Sequence, residues 1–432
     1  MKIIFVFTVA ILFCGCPDGG VNPPTQPDFV VTAEEIISTE ALLKIQYSTT
    51  DSITVQLVRN GELLTTVRMS KEFVFNDTTL LPKQSCTYIA KKIENGKAVA
   101  TTPALQITTL DTTTHDFIWE TTTFGGTAGS CTLNDVAIIN DTLAYAVGEI
   151  YLPDSTGQNE IYYNAAKWNG KKWELMQIKV MHNGNLIIPS LYGVYGFSYK
   201  DIWFSSGVPI HGDGNNWLQY HLFDMGILTQ SDGALKKIWG SQSKDIFFVG
   251  DLGTIIHYNG TSWQKLESGT TLNMQDIWGV VDDNGNFIEA YCGATTDDGV
   301  IHATKFLHIS SNNKIEFLPW NSHWFIASVW SVTKKTVYLS GGVLLQYRND
   351  SIREKDFGLF ISRVRGNSYN DIFIAGSYGF IAHYNGNTWR EYRELLNTNV
   401  AYRSLSVKGN TIVTCGFYGE KAIVTVGKKI QQ

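Results

Sequence analysis

Two stretches of the chain repeat one pattern, and this pattern decides the fold. Residues 235–263 read LKKIWGSQSKDIFFVGDLGTIIHYNGTSW, and residues 362–389 read SRVRGNSYNDIFIAGSYGFIAHYNGNTW. In both, one apolar segment ends in a small residue and Gly, the next ends in His-Tyr, and Asn-Gly precedes Trp. Asn-Gly accepts the positive φ angles of a tight hairpin, and the β-branched and aromatic residues around it favour strands. Each stretch therefore predicts four consecutive antiparallel strands.

Weaker copies of the pattern fall into register on both sides of these two. Each has an apolar anchor in its first strand and a small residue before Gly in its second. The anchors are Val136, Val194, Ile238, Ile277, Val329, Val364 and Leu405, and the glycines are Gly148, Gly207, Gly250, Gly293, Gly341, Gly376 and Gly416. The anchors recur every ~45 residues, the length of a four-stranded propeller blade. We predict a seven-bladed β-propeller over residues 116–432, with six blades as the alternative.

The two ends of the repeat region complement each other. The segment Phe117-Ile118-Trp119-Glu120-Thr121 has the pattern of an outer strand but no blade of its own, and the last copy ends after three strands. Pairing the two would complete the seventh blade and leave no raw sheet edge. We therefore expect the segment from Phe117 to close the ring as the outer strand of the last blade.

Residues 28–110 precede the repeats and alternate in period two, as in Leu43, Ile45 and Tyr47, which is typical of strands. The motif Leu80-x-Pro82-x-x-x-Cys86-x-Tyr88 resembles the corner of a fibronectin type III domain, a β-sandwich of about this size. In that family a Tyr usually stands where this sequence has Cys86. The resemblance implies a sandwich that acts as a spacer or an adhesive module. The fold class predicted for the whole chain is all-β.

The first 27 residues predict export and a lipid anchor. A basic start is followed by an apolar run from Ile3 to Phe13, which is too short to span a bilayer but suits a signal peptide over residues 1–15. Gly15-Cys16 resembles the bacterial lipobox, which implies that Cys16 carries a diacylglyceryl group. An ordinary cleaved signal is the alternative. Residues 16–27 are rich in Pro, Gly and Asn and predict a flexible tether.

Charge and composition exclude some partners. The net charge is −6 and only 17% of residues are charged, without a basic stripe, so we expect no nucleic-acid partner. We find no motif for a metal or a cofactor and expect none, and we expect a monomer. His257 and His383 occupy one position in two copies, which favours a structural role. Disulfides among Cys86, Cys131, Cys292 and Cys415 are permitted outside the cytoplasm, but no pairing is determined.

The candidate site follows from the predicted architecture. In a propeller the loops from second to third strands and from blade to blade share one face around the channel, which is the default binding site. The predicted ligand-face residues are Tyr151, Asp154, Asp251, Asp297, Asp298, Trp320, His323, Trp324, Tyr378 and Tyr418. Aromatic rings beside carboxylates suit a glycan or a peptide.

Three functions are compatible with this sequence. The first is a binding or scaffold lipoprotein of the bacterial cell envelope, anchored in a membrane, in our expectation the outer one, and recognising protein or glycan. The second is a glycan-active hydrolase, lyase or transferase, of which the hydrolase would need two loop carboxylates facing each other across a sugar. The third is a structural component of an outer-membrane assembly. We find no catalytic residue set in the sequence, so the first function is favoured.

Overall fold

A computed structural model describes residues 29–48, 50–126, 129–297 and 302–430. In these residues the chain forms strands, two 3-10 turns (Asp251–Gly253 and Arg393–Leu395) and no α-helix, which confirms the all-β prediction. No helix of the described part is long and apolar enough to cross a membrane. The predicted signal peptide, Cys16, the tether and Asp298 lie outside the described residues.

The chain divides into two compact units. The first contains the described residues up to Ala33 together with Leu42–Asn76 and Cys86–Ile107. The second contains Glu34–Ala41, Asp77–Ser85 and the chain from Thr108 onward.

The first eight strands form two sheets. Their bounds are β1 Phe29–Ile36, β2 Ala41–Tyr47, β3 Ile53–Arg59, β4 Glu62–Met69, β5 Glu72–Asp77, β6 Ser85–Glu94, β7 Lys97–Thr101 and β8 Leu105–Thr108. One sheet has the order β1-β2-β5 and the other β4-β3-β6-β7, with β8 also paired to β6. Alternate residues of these strands, such as Leu43, Ile45, Val55 and Leu57, are fully buried, as the period-two pattern predicts.

The rest of the described chain forms seven four-stranded sheets, numbered I to VII, and one small hairpin. Strand β9 is Phe117–Phe124. Sheet I contains β10 Thr132–Asn140, β11 Leu143–Pro153, β12 Glu160–Trp168 and β13 Trp173–Met176; the hairpin is β14 Val180–His182 and β15 Asn185–Ile187; sheet II contains β16 Gly193–Ser198, β17 Asp201–Ser205, β18 Pro209–Gly212 and β19 Trp217–Gln219; sheet III contains β20 Leu235–Gln242, β21 Asp245–Gly250, β22 Ile255–Tyr258 and β23 Trp263–Leu266.

The remaining four sheets follow in chain order. Sheet IV contains β24 Asn273–Val281, β25 Phe287–Asp297, β26 His302–Ser310 and β27 Ile315–Phe317; sheet V contains β28 Ser328–Ser331, β29 Thr336–Ser340, β30 Leu344–Arg348 and β31 Ser351–Lys355; sheet VI contains β32 Ile361–Ser368, β33 Asp371–Gly376, β34 Ile381–Tyr384 and β35 Trp389–Glu391; sheet VII contains β36 Val400–Lys408, β37 Thr411–Tyr418 and β38 Lys421–Lys429, followed by β9.

Sheet VII joins the two ends of the repeat region. Strand β9 pairs antiparallel with β38, with Phe117 opposite Lys429 and Phe124 opposite Ala422. This is the pairing predicted for the Phe117 segment. The first strands of successive sheets contact each other from β10 round to β36, and β36 contacts β10 in turn. The sheets of the second unit therefore form a closed ring with their first strands innermost.

The recurring glycine of the motif has a packing reason. A Cβ on Gly250 would lie 1.9 Å from the carbonyl oxygen of Ala234, and a Cβ on Gly376 would lie 1.9 Å from that of Phe360. Neither glycine has a positive φ angle, so the requirement is close approach to the neighbouring first strand. Because a backbone carbonyl cannot move aside as a flexible side chain can, any larger residue must shift a strand.

The recurring tryptophans pack between sheets, and the recurring histidines have a structural role, as predicted. Trp239 contacts the core residues of sheet IV, and Trp330 contacts those of sheet VI. His257 Nε2 lies 2.6 Å from Asp245 Oδ1, and His383 Nε2 lies 2.9 Å from Asp371 Oδ1. The same acid–histidine pair recurs in two further sheets, between Asp201 and His211 and between Glu289 and His308. A repeated cross-strand pair of this kind is a structural feature of the sheets.

Candidate functional site

The innermost strands carry a β-bulge at one repeated position. The bulges fall between Leu133 and Asp135, Leu235 and Lys237, Met274 and Asp276, Ile361 and Arg363, and Tyr402 and Ser404. A bulge inserts one residue and re-aims the side chains next to it. In all five strands the residue that follows the bulge, immediately before the apolar anchor, is polar.

Five charged side chains meet where these bulges converge, and we call them the inner charged cluster. They are Asp135, Lys237, Asp276, Arg363 and Arg365. None exposes more than 15% of its side-chain surface. Such positions are buried enough for ionic contacts to be strong and for missing contacts to be costly.

Asp276 is the most heavily bonded member of the cluster. Arg365 donates from Nη1 to Oδ2 and from Nη2 to Oδ1, each at 3.0 Å, and Arg363 Nη1 lies 2.7 Å from Oδ1. Ser328 Oγ and the backbone N–H of Val329 also donate to Oδ2. Burial opposes ionisation of Asp276, but the two arginines outweigh it and hold the pKa well below its usual range. This carboxylate links sheets IV, V and VI.

Asp135 links the remaining sheets. Lys237 Nζ lies 3.5 Å from Oδ2, and Arg363 Nη2 lies 3.8 Å from Oδ1. Ser404 Oγ donates to Oδ1 at 2.5 Å, and the N–H of Val194 donates to Oδ2 at 3.3 Å. These two carboxylates, from sheets I and IV, thus contact groups from each of the other five sheets. This cluster was not predicted from the sequence, although the polar residue before each apolar anchor was a signal for it.

The predicted ligand-face residues lie in two types of connection, from second to third strands and from one sheet to the next. Tyr151 and Tyr418 lie near the ends of second strands, and Asp154 and Tyr378 lie in the turns that follow second strands. Asp251 lies in the 3-10 turn after β21. Trp320, His323 and Trp324 lie in the connection from sheet IV to sheet V, and Asp297 ends β25, its side chain not being described. These connections share one end of the ring, which we call the loop face.

The two predicted carboxylates whose side chains are described, Asp154 and Asp251, contact polar groups of their own sheets. Asp154 accepts hydrogen bonds from Thr156 Oγ1 at 2.7 Å and Asn159 Nδ2 at 2.9 Å, which fasten its own turn. Asp251 forms an ion pair with Lys236 at 2.7 Å. Both carboxylates have a local structural role, so neither supports the facing pair that a glycoside hydrolase needs.

The predicted aromatic residues differ in accessibility. Tyr151 stacks near Tyr162 with ring centroids 5.2 Å apart, and Trp320 packs against a core cluster between sheets IV and V. Trp324 Nε1 lies 3.3 Å from a carboxylate oxygen of Glu354. Tyr378, by contrast, is 51% exposed. Of these aromatic residues, Tyr378 presents the most surface to a partner.

A second exposed residue matches Tyr378, although it is not among the predicted ligand-face residues. Leu252 is 52% exposed, and it occupies in the turn of sheet III the position that Tyr378 occupies in sheet VI. Both have left-handed backbone conformations, with φ angles of 52° and 59°. Such a conformation costs a residue with a side chain about 1–2 kcal/mol. The aligned triplets Asp-Leu-Gly and Ser-Tyr-Gly were the signal that could have revealed the match.

Comparison with known proteins defines the fold. No protein family and no curated protein matches the chain significantly. It is similar to a solved structure described as "YCF48 bound to D1 peptide" (14% identity, TM-score 0.52, covering 72% of this chain and 95% of that one) and to the WD40 β-propeller domain of Doa1 (13%, 0.52, 72% and 96%). The second unit is a β-propeller.

A third similar structure is the extracellular domain of the putative one-component system BT4673 from B. thetaiotaomicron, with 12% identity and a TM-score of 0.50. The match covers 71% of this chain and 39% of that one. At these identities the likeness concerns the fold of the propeller alone.

Proposed function

We propose that the protein is a protein-binding lipoprotein of the cell envelope whose seven-bladed propeller docks a partner on its loop face. In this proposal the lipid on Cys16 holds the chain at a membrane, and a fibronectin type III-like domain serves as the spacer. The strand orders β1-β2-β5 and β4-β3-β6-β7 support the spacer, because two such sheets are the layers of a sandwich of this class.

The observation that carries the proposal is the pair Leu252 and Tyr378. Backbone strain persists where the surrounding structure imposes it, and it concentrates at binding and switch sites. Here the strained residues also expose large apolar side chains at matched positions. The exposed large apolar residues of the loop-face connections are Met181, Leu186, Phe223, Met225, Leu252, Phe360, Tyr378 and Leu396. Most of these residues are aliphatic Leu or Met, which favours a protein partner over a glycan, because a sugar needs aromatic rings to stack on and polar groups for its hydroxyls.

The similar structure described as "YCF48 bound to D1 peptide" supports a peptide segment as the docked element. That description concerns the other protein. It shows that a propeller of comparable fold can bind a peptide, and we extend this capacity to the present chain as part of the proposal.

The test removes the exposed apolar surface without adding strain. Asn tolerates a left-handed conformation, so Leu252→Asn combined with Tyr378→Asn should preserve stability while removing both side chains. Partners are captured by cross-linking the full chain in envelope membranes and are quantified by mass spectrometry. We expect capture of a specific partner to fall at least tenfold, as for loss of an interface hot spot.

Matched controls lie on the outer strands. Leu218 and Phe317 are 61% and 47% exposed, and neither lies in a loop-face connection. The pair Leu218→Asn and Phe317→Asn should leave capture unchanged. Equal capture by the loop-face variant and the wild type, or equal loss in the control variant, would show that the partner does not dock on the loop face.

The anchor has a separate test. Cys16→Ser should abolish incorporation of a labelled fatty acid and release the protein from the membrane fraction, whereas Cys14→Ser should change neither. Labelling that persists in Cys16→Ser would refute the proposed lipidation site.

A further inference from the structure

The inner charged cluster contains more cations than carboxylates. Among the described residues, Lys237, Arg363 and Arg365 face Asp135 and Asp276. The side chains of Arg363 and Asp276 are 3% and 2% exposed, and that of Lys237 is 15% exposed. An unbalanced charge at such a depth is costly unless an ion of opposite sign compensates it.

Arg363 also has unused hydrogen-bonding capacity. Its Nη1 lies 2.7 Å from Asp276 Oδ1, but its Nε donates no hydrogen bond to any residue in the described part of the chain. A guanidinium group carries donors in a fixed planar fork that matches a carboxylate or a compact anion. The unpartnered Nε of Arg363 and the excess positive charge of the cluster both point to a missing negative partner.

We propose that the inner charged cluster binds one small monovalent anion beside Lys237 and Arg363. The anion is a free halide or carboxylate, or the carboxylate of a peptide segment that enters from the loop face. The site does not depend on docking at Leu252 and Tyr378. Arg403 is inserted at the bulge one residue before Ser404 and is exposed, so its positive charge would attract an approaching anion. Lys236, inserted one residue before Lys237, is paired with Asp251.

The ionisation of Lys237 gives the site a pH dependence. Burial lowers the pKa of Lys237 to about 8, with Asp135 opposing the shift and Arg363 adding to it. Asp276 and Cys415 also face this lysine, and burial raises the pKa of the Cys415 thiol, so the thiol stays neutral at pH 8. Because an anion stabilises the protonated amine, its apparent affinity should fall by up to tenfold per pH unit once the pH exceeds the pKa of Lys237 in the anion-free protein, about 8.

The experiment compares two neighbouring lysines in the full chain. Thermal unfolding is followed by tryptophan fluorescence while chloride or acetate replaces the bulky HEPES anion at constant ionic strength and pH 7. The wild type and Lys236→Met should show a saturable rise in Tm, and Lys237→Met should show none. The third probe is the peptide acetyl-Gly-Asp-Gly-amide, with acetyl-Gly-Asn-Gly-amide as its neutral control.

The outcomes separate the two sources of the anion. Saturable stabilisation by chloride or acetate identifies a free anion, and stabilisation by the Asp peptide alone identifies a carboxylate supplied by a peptide. An equal response of Lys237→Met and the wild type, or no response to any of the three probes, overturns the proposal. Chloride-35 line broadening on the wild type tests the site without a variant, and broadening that persists undiminished to pH 11 would also overturn it.

Discussion

The substitution Asp276→Asn tests whether the inner charged cluster holds the sheets together. Asn keeps the size of the side chain but removes the charge that faces both Arg363 and Arg365. Breaking a buried pair by removing one partner typically costs 3–5 kcal/mol, because the other charge stays buried without compensation. Two arginines depend on this carboxylate at 2.7 and 3.0 Å, so we expect a loss of about 3–5 kcal/mol in the free energy of unfolding.

The assay is equilibrium unfolding in urea followed by tryptophan fluorescence. All 12 tryptophans lie between Trp119 and Trp389, within the second unit, so the signal reports the propeller alone. The control is Asp251→Asn, which removes a carboxylate paired with Lys236 at a partly exposed position. Exposed ion pairs contribute about 0–1 kcal/mol, so the free energy of unfolding should fall far less in the control than in Asp276→Asn.

A double-mutant cycle with Arg365→Met isolates the pair. If Asp276 and Arg365 stabilise each other, the free energy of unfolding should fall less in the double variant than the sum of the falls in the two single variants. If Asp276→Asn lowers the free energy of unfolding no more than Asp251→Asn does, the inner charged cluster contributes nothing beyond an ordinary surface pair. That result would refute the prediction.

Two further predictions concern the repeat and the junction before β9. Gly376→Ala should destabilise the propeller by about 1–3 kcal/mol, because its Cβ would meet the carbonyl oxygen of Phe360 at 1.9 Å, and an unchanged urea midpoint would contradict this packing argument. Burial and neighbouring His383 lower the pKa of His115 to about 4, below its unfolded value near 6.5. The unfolded chain therefore takes up the proton first, and stability should fall as the pH drops from about 6.5 to about 4. His115→Gln should make stability less dependent on pH over this range. The check is the urea midpoint at pH 7.5, 5.5 and 4.5, and an equal fall in the variant and the wild type would contradict the assignment to His115.

Several features of the fold could be predicted because they depend on neighbouring residues. The Asn-Gly pairs specify hairpins, and alternating apolar residues specify strands with one buried face. The pairing of Phe117–Phe124 with β38 could also be predicted, because a strand without a blade and a blade without a fourth strand leave one arrangement that removes both edges.

The candidate site was predicted less completely. The sequence placed Asp154 and Asp251 on the loop face but could not show that Thr156 and Lys236 bind their carboxylates. Leu252 could not be selected from the sequence, because neither the exposure of its side chain nor its φ angle of 52° follows from the residue type. Side-chain partners and backbone strain depend on the geometry of each turn, which residue type alone does not specify.

What the sequence by itself determined is the repeating unit, since turn chemistry and strand periodicity act over a few residues. What only the tertiary structure decided is which charges meet. Asp135, Asp276 and Arg363 lie far apart in the chain, and each is the polar residue immediately before an apolar anchor. Arg363 lies within 4 Å of both carboxylates. These contacts form only because the seven sheets close into a ring, which brings their first strands together.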